Sequence, residues 1–163
     1  MPADTPRPPK SLKARAIALL ARREYSRADL RARLVAGGDH GADGAPDVET
    51  LLDELAALGF LSDTRFAQSV VRQKSGGYSK RAIGATLKAR GVDSDAATDA
   101  VAGVEIDDLD AMVALWRRRF GKPPAGDKEK ARQVRFLQSR GFSLSAIFKL
   151  LRNPPGDDGA DAG

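Results

Sequence analysis

The chain has 163 residues, 42% of them hydrophobic and 30% charged, with a net charge of +5, enough for one compact domain or a few small modules in series. It has no cysteine and one histidine, which excludes a disulfide scaffold, a thiolate metal site and a cysteine nucleophile. It lacks the roughly 18 consecutive apolar residues of a membrane-spanning helix, and Met1–Lys10 lacks the apolar stretch of a secretory signal, so a soluble, cytoplasmic protein is expected.

Aromatic residues make up only 6% of the chain, and its richness in alanine, leucine and arginine suits helix better than strand. In chain order, residues 1–10, with four prolines in the first nine, read as a disordered arm. Leu12, Ala16, Leu19 and Leu20 form a first apolar stripe at helical spacing, and Leu30 with Leu34 a second. Gly37–Pro46 reads as a flexible loop, followed by a third stripe at Val48, Leu51, Leu52, Leu55 and Leu58. Phe66, Val70 and Val71 mark the fourth helix, Ile83 and Leu87 the fifth, and Ala97, Ala100, Val101 and Val104 the sixth. Leu109, Met112, Val113, Trp116 and Phe120 give the seventh. After the proline-stiffened connector 122–127 come Ala131, Val134 and Leu137, then Ile147 and Leu151. The tail 153–163 reads as disordered. The expected fold is all-α, nine helices in three groups of three: 11–61, 62–106 and 107–152.

Start and stop signals agree with this grouping. Tyr25-Ser26, Tyr78-Ser79 and Phe142-Ser143 each set an aromatic before a serine, with apolar residues four and eight positions after it. A serine N-cap satisfies a free N–H of the first turn and contributes about 1 kcal/mol, and the aromatic can staple onto the apolar residue of the next turn. Leu-x-x-x-Gly closes four stripes, at Leu34/Gly38, Leu55/Gly59, Leu87/Gly91 and Leu137/Gly141, because glycine at C′ adopts positive φ cheaply. The recurrence argues for divergent internal repeats; the third aromatic-serine pair opens a third helix, not a second.

Charge is banded. Residues 1–36 carry +6, 37–64 carry −7, 65–91 carry +7 without an acid, 92–110 carry −7 without a base, and 111–152 carry +9. Such bands suit a phosphate backbone or a protein of mixed charge. Enzyme chemistry finds little support. His40 stands alone in a glycine-rich loop, there is no P-loop or nucleophile elbow, and the acids at 43–53 and 93–110 read as solvated helix starts. Basic faces are the candidates: Arg81 and Lys88 on the fifth helix, Lys128, Arg132 and Arg135 on the eighth, Arg117, Arg118 and Arg119 ending the seventh, with Arg72, Lys74, Arg140 and Lys149. The few aromatics, Trp116 above all, lie on apolar stripes and are expected in the core.

Four segments in order, A-R-x-x-Y-S-R-A-D-L-R-A-R-L (21–34), L-L-D-E-L-A-A-L-G-F-L-S-D-T-R-F-A (51–67), Y-S-K-R-A-I-x-x-x-L-K-A-R-G-V (78–92) and K-A-R-Q-V-R-F-L-Q-S-R-G-F-S-L-S-A-I (130–147), resemble the RecX family. The resemblance implies three tandem three-helix repeats in an elongated, curved body. It also implies a non-enzymatic regulator that binds RecA and the RecA–DNA filament and mainly inhibits recombinase, ATPase and coprotease activities in DNA repair. No cofactor comes with it, and a monomer is expected. Basic residues of the second and third repeats are expected to face the filament, at Arg72, Lys74, Arg81, Lys88, Arg132, Arg135 and Arg140, with Lys80, Arg90, Arg117, Lys128 and Lys149 completing the set. The chain departs from the family in having Tyr78-Ser79 where many members have Gly-Pro, and in the insertion 37–46. A helical module acting directly on nucleic acid is the alternative, and a helix-turn-helix transcription factor a third reading.

Overall fold

The computed structural model describes residues 10–37 and 47–156. Among these are nine α-helices and no strand: α1 (Leu12–Leu20), α2 (Arg27–Ala36), α3 (Val48–Ala57), α4 (Asp63–Lys74), α5 (Lys80–Ala89), α6 (Ser94–Ala102), α7 (Asp108–Arg119), α8 (Asp127–Ser139) and α9 (Leu144–Arg152). The expected arm, loop and tail lie outside the described residues except for Lys10, Gly37 and 153–156, as do His40 and Gly38. No helix of the described residues is long and apolar enough to cross a membrane.

Local chemistry sets the helix ends. Ser26, Ser79 and Ser143 each accept the backbone N–H three residues on, from Asp29, Ala82 and Ala146. Gly59, Gly91 and Gly141 all have positive φ. Behind them Phe60, Val92 and Phe142 donate to the carbonyls of Leu55, Leu87 and Leu137, the bond pattern of a Schellman stop.

The apolar stripes close into three cores in chain order. The first holds Leu12, Leu30, Leu34, Leu51, Leu52 and Leu55, with Tyr25 and Leu61. The second holds Phe66, Val70, Ile83, Leu87, Val92 and Ala97. The third holds Met112, Leu115, Trp116, Leu137, Phe142 and Ile147. Three stripe assignments are corrected. Leu58 falls just past the end of α3 and Leu109 in the first turn of α7, where there is little to pack against, so both are exposed. Ala131 also faces out; the buried residue of that turn is Gln133. Its Oε1 accepts the Trp116 indole N–H at 2.9 Å and its Nε2 donates to the Lys122 carbonyl at 3.2 Å, which satisfies the buried amide and ties the 122–127 connector to the core.

One junction, built twice, joins the cores. The N-terminus of α2 meets the C-terminus of α5: the Ser26 hydroxyl donates to the Arg90 carbonyl at 2.6 Å, and a Cβ on Gly91 would come within 2.5 Å of Ala28 Cβ. The N-terminus of α5 meets the C-terminus of α8 in the same way. There the Ser79 N–H donates to the Arg140 carbonyl at 2.9 Å, and a Cβ on Gly141 would collide with Ser79 Oγ and Ala82 Cβ. An aspartate from the next unit's first helix completes each contact: Asp63 accepts the Arg27 N–H at 2.7 Å and Asp108 the Lys80 N–H at 3.0 Å. The C-termini of α5 and α8 thus each meet the N-terminus of a helix of the preceding unit, α2 and α5 respectively.

Candidate functional site

The helix geometry above sorts the twelve candidate cations. Arg81 and Lys88, two turns apart on the outer side of α5, line one groove together with Lys80, floored by Gly84, Ala85, Ala97 and Val101 where α6 packs. On α8, Lys128, Arg132 and Arg135 are exposed, as are Arg72 on α4 and Lys149 on α9. Arg117 donates to the Gly156 carbonyl at 3.2 Å. Arg90 is structural: its carbonyl belongs to the first junction and its guanidinium lies 3.4 Å from Asp29.

Ion pairing divides the molecule. Lys13 pairs with Glu54, Arg27 with Glu49 and Asp53, Arg31 with Glu49, and Arg65 with Glu24. Hydrogen bonds, first from Arg31 and then from Arg27, hold the Glu49 carboxyl below its ordinary value, and the Glu49 hydrogen bond leads in raising the Arg27 guanidinium. Every one of these pairs lies in the first core's elements or at its junction. Among the described residues, no carboxylate pairs with Arg72, Lys74, Lys80, Arg81, Lys88, Arg117, Lys128, Arg132, Arg135, Arg140 or Lys149. Four acids of 92–110 and the start of α8 accept backbone N–H groups instead: Asp93 those of Asp95 and Ala96, Asp107 that of Leu109, Asp108 that of Lys80, and Glu129 that of Ala125.

Aromatic rings hold several of the unpaired cations. Lys74 Nζ stands 4.1 Å and Arg140 Cζ 4.6 Å from the Tyr78 ring centre. Arg140 is also 5.1 Å from Phe136, and Arg119 is 5.5 Å from Phe136 and 5.4 Å from Phe120. Arg132 lies 5.8 Å from Phe120, and the two phenylalanines meet edge to face at 5.4 Å. The result is a ladder from α4 across the second junction to α8. Cation–π attraction restrains side chains that would otherwise wander in solvent. Tyr78, Phe120 and Phe136 are thus half-buried beneath cations, and Phe60 and Phe148 are exposed; the expectation that the aromatics are core holds for Tyr25, Phe66, Trp116 and Phe142. Arg119, read in the sequence only as part of the basic end of the seventh helix, is also a ladder member, held by the adjacent Phe120 and by Phe136 on α8. Among the described residues there is no cluster of three or more His, Cys, Asp or Glu able to hold a metal.

Comparison with known proteins agrees with this geometry. Residues 62–101 match the family model for the RecX second three-helix domain and 105–151 that for the third. The regulatory protein RecX of Leptothrix cholodnii is 44% identical over 90% of both chains. That of Ralstonia nicotianae is 41% identical over 96% of this chain and 92% of its own. The crystal structure of RecX from Lactobacillus salivarius superposes with a TM-score of 0.62 at 20% identity, covering 86% of this chain and 92% of that one.

Proposed function

The chain belongs to the RecX family of regulatory proteins, and from that premise we propose that it binds RecA and the RecA–single-stranded DNA filament and restrains recombinase, ATPase and coprotease activity without a catalytic step of its own. The observation that carries the reading is the basic surface of α5, α7 and α8, left without carboxylate partners while Lys13, Arg27 and Arg31 of the first core are paired. Arg81, Lys88, Arg132, Arg135 and Arg140 are its central contacts, with Arg72, Lys74, Lys80, Arg117, Lys128 and Lys149 around them. Uncompensated charge speeds encounter and sets register. A body of three units, 11–61, 62–106 and 107–152, can bridge neighbouring protomers of a filament and hinder its growth. The test is ATP hydrolysis by RecA on single-stranded DNA with this protein titrated in. Inhibition at amounts well below RecA, insensitive to added DNA, is expected; hydrolysis unchanged across the titration refutes the proposal.

The ladder favours a second reading, direct contact with nucleic acid. Because cations cover its rings, phosphates and not bases are the fitting ligand. Affinity for free DNA would then fall steeply with salt in the absence of RecA.

A further inference from the structure

Leu109 is 57% exposed in the first turn of α7. Its backbone is fixed, since its N–H donates to Asp107 at 2.6 Å and the neighbouring Asp108 holds the start of α5. The side chain therefore projects from a rigid turn. It borders a groove between α7 and α9 whose floor is Met112 and Phe142, whose wall is Gly141, Ser143 and Ala146, and whose rim carries Arg81 and Asp108. Arg81 is also the rim of the basic groove it forms with Lys80 and Lys88. An apolar slot thus opens beside an uncompensated cationic one. A lone exposed leucine means little, but Ile106, three residues before it, is also exposed, as are Leu144 and Phe148 on α9, the helix across the groove.

We infer that this slot is an anchor site for an acidic segment of a partner protein that carries an apolar side chain. The apolar group seats against Leu109 and Met112, and the adjoining carboxylate pairs with Arg81. Asp107 and Asp108 are committed to backbone N–H groups. Asp108 on the slot's rim keeps its charge and Asp110 is exposed, so an incoming carboxylate is disfavoured toward both. It is favoured toward Arg81, which Lys80 and Lys88 reinforce along the adjoining groove, and this fixes the segment's direction. The inference rests on the RecA-filament reading and deepens it: the cations govern association, and the slot governs dissociation.

The experiment measures binding kinetics on RecA filaments assembled on immobilised single-stranded DNA. Leu109→Ser is expected to raise the dissociation rate about tenfold, the effect of truncating an interface anchor, with association unchanged; Leu109→Met should restore residence. Leu58→Ser, at a leucine equally exposed but beside the first core, is the matched control and should change neither rate. Arg81→Gln should slow association and flatten its salt dependence. If Leu109→Ser dissociates like the unaltered chain, the anchor is overturned and the RecA reading stands. If the unaltered chain does not associate at all, the RecA reading falls and the anchor falls with it.

Discussion

In the elements of the first core Lys13, Arg27 and Arg31 pair with Glu54, Glu49 and Asp53. Around the third core, no described basic residue pairs with a carboxylate, and Arg119, Arg132 and Arg140 rest on rings. The two regions share caps, stops and stripe spacing, so they differ not in how they fold but in how they dispose of charge. Exposed ion pairs contribute little stability, at most about 1 kcal/mol each. Their larger consequence is electrostatic: they offset Lys13, Arg27 and Arg31 of the +6 band with acids of the −7 band beside it. In the −7 band at 92–110, Asp93, Asp107 and Asp108 instead accept backbone N–H groups at helix starts, and among the described residues no acid of the band forms an ion pair with a cation of α5, α7 or α8. Sequence banding alone therefore does not locate a binding surface; what matters is which cations the fold brings into contact with a carboxylate.

Charge reversal is the strongest way to break that comparison. Arg81→Glu/Arg135→Glu should abolish inhibition of RecA ATP hydrolysis while circular dichroism stays unchanged, because both side chains are exposed and without carboxylate partners. Arg27→Glu/Arg31→Glu should do the opposite, retaining inhibition and lowering the melting temperature, since both new carboxylates would face Glu49. Equal loss of inhibition from the two pairs would show that the first unit also meets the partner.

Next in size is a glycine pair. Gly141→Ala adds left-handed strain of about 1–2 kcal/mol to a collision with Ser79 and Ala82 that adds about 1–3 more. Gly59 has a similar φ of +80° but open space around it, so Gly59→Ala should cost only the strain. Urea unfolding separates the two, and equal losses would mean that the second junction is loose enough to yield.

Much of this was legible in the sequence, because capping and stripe periodicity act within about eight residues. Ser26, Ser79, Ser143, Gly59, Gly91 and Gly141 behave as their neighbours dictate. Leu58, Leu109 and Ala131 were misread because periodicity does not say where a helix runs out of partners. The junctions and the ladder were not legible: Ser26 meets Arg90, 64 residues away, and Arg140 finds Tyr78 only because α5 stacks on α8. Gln133 was hidden in the same way, since a buried amide is recognisable only once Trp116 is seen to donate to it.

A smaller effect sharpens the contrast within the ladder. Arg140→Gln removes the guanidinium shared by Tyr78 and Phe136 and should cost about 1 kcal/mol by thermal unfolding, in the range of partly exposed cation–π contacts. Arg140→Lys should recover only part, because an ammonium does not stack as a plane. Identical losses from both would mean that net charge, not stacking, holds the side chain.

Acid gives the smallest and most selective test. The Glu49 carboxyl is held below its ordinary value by Arg31 and then Arg27. A carboxylate whose folded pKa is depressed contributes stability that is fully present above its unfolded value, about 4.3, and is lost as pH falls through the lower folded one. Acidification below that range should therefore loosen α2 and α3 first, read as faster amide exchange there, while Trp116 fluorescence, which reports on the third core, stays constant. Glu49→Gln should remove the acid-dependent part. Glu49 is half-exposed and screened, so high salt should shrink the effect in the unaltered chain as well. If the Trp116 signal moves first, the paired charges of the first core are not what distinguishes its response to acid, and the contrast between the two regions must rest on the partner alone.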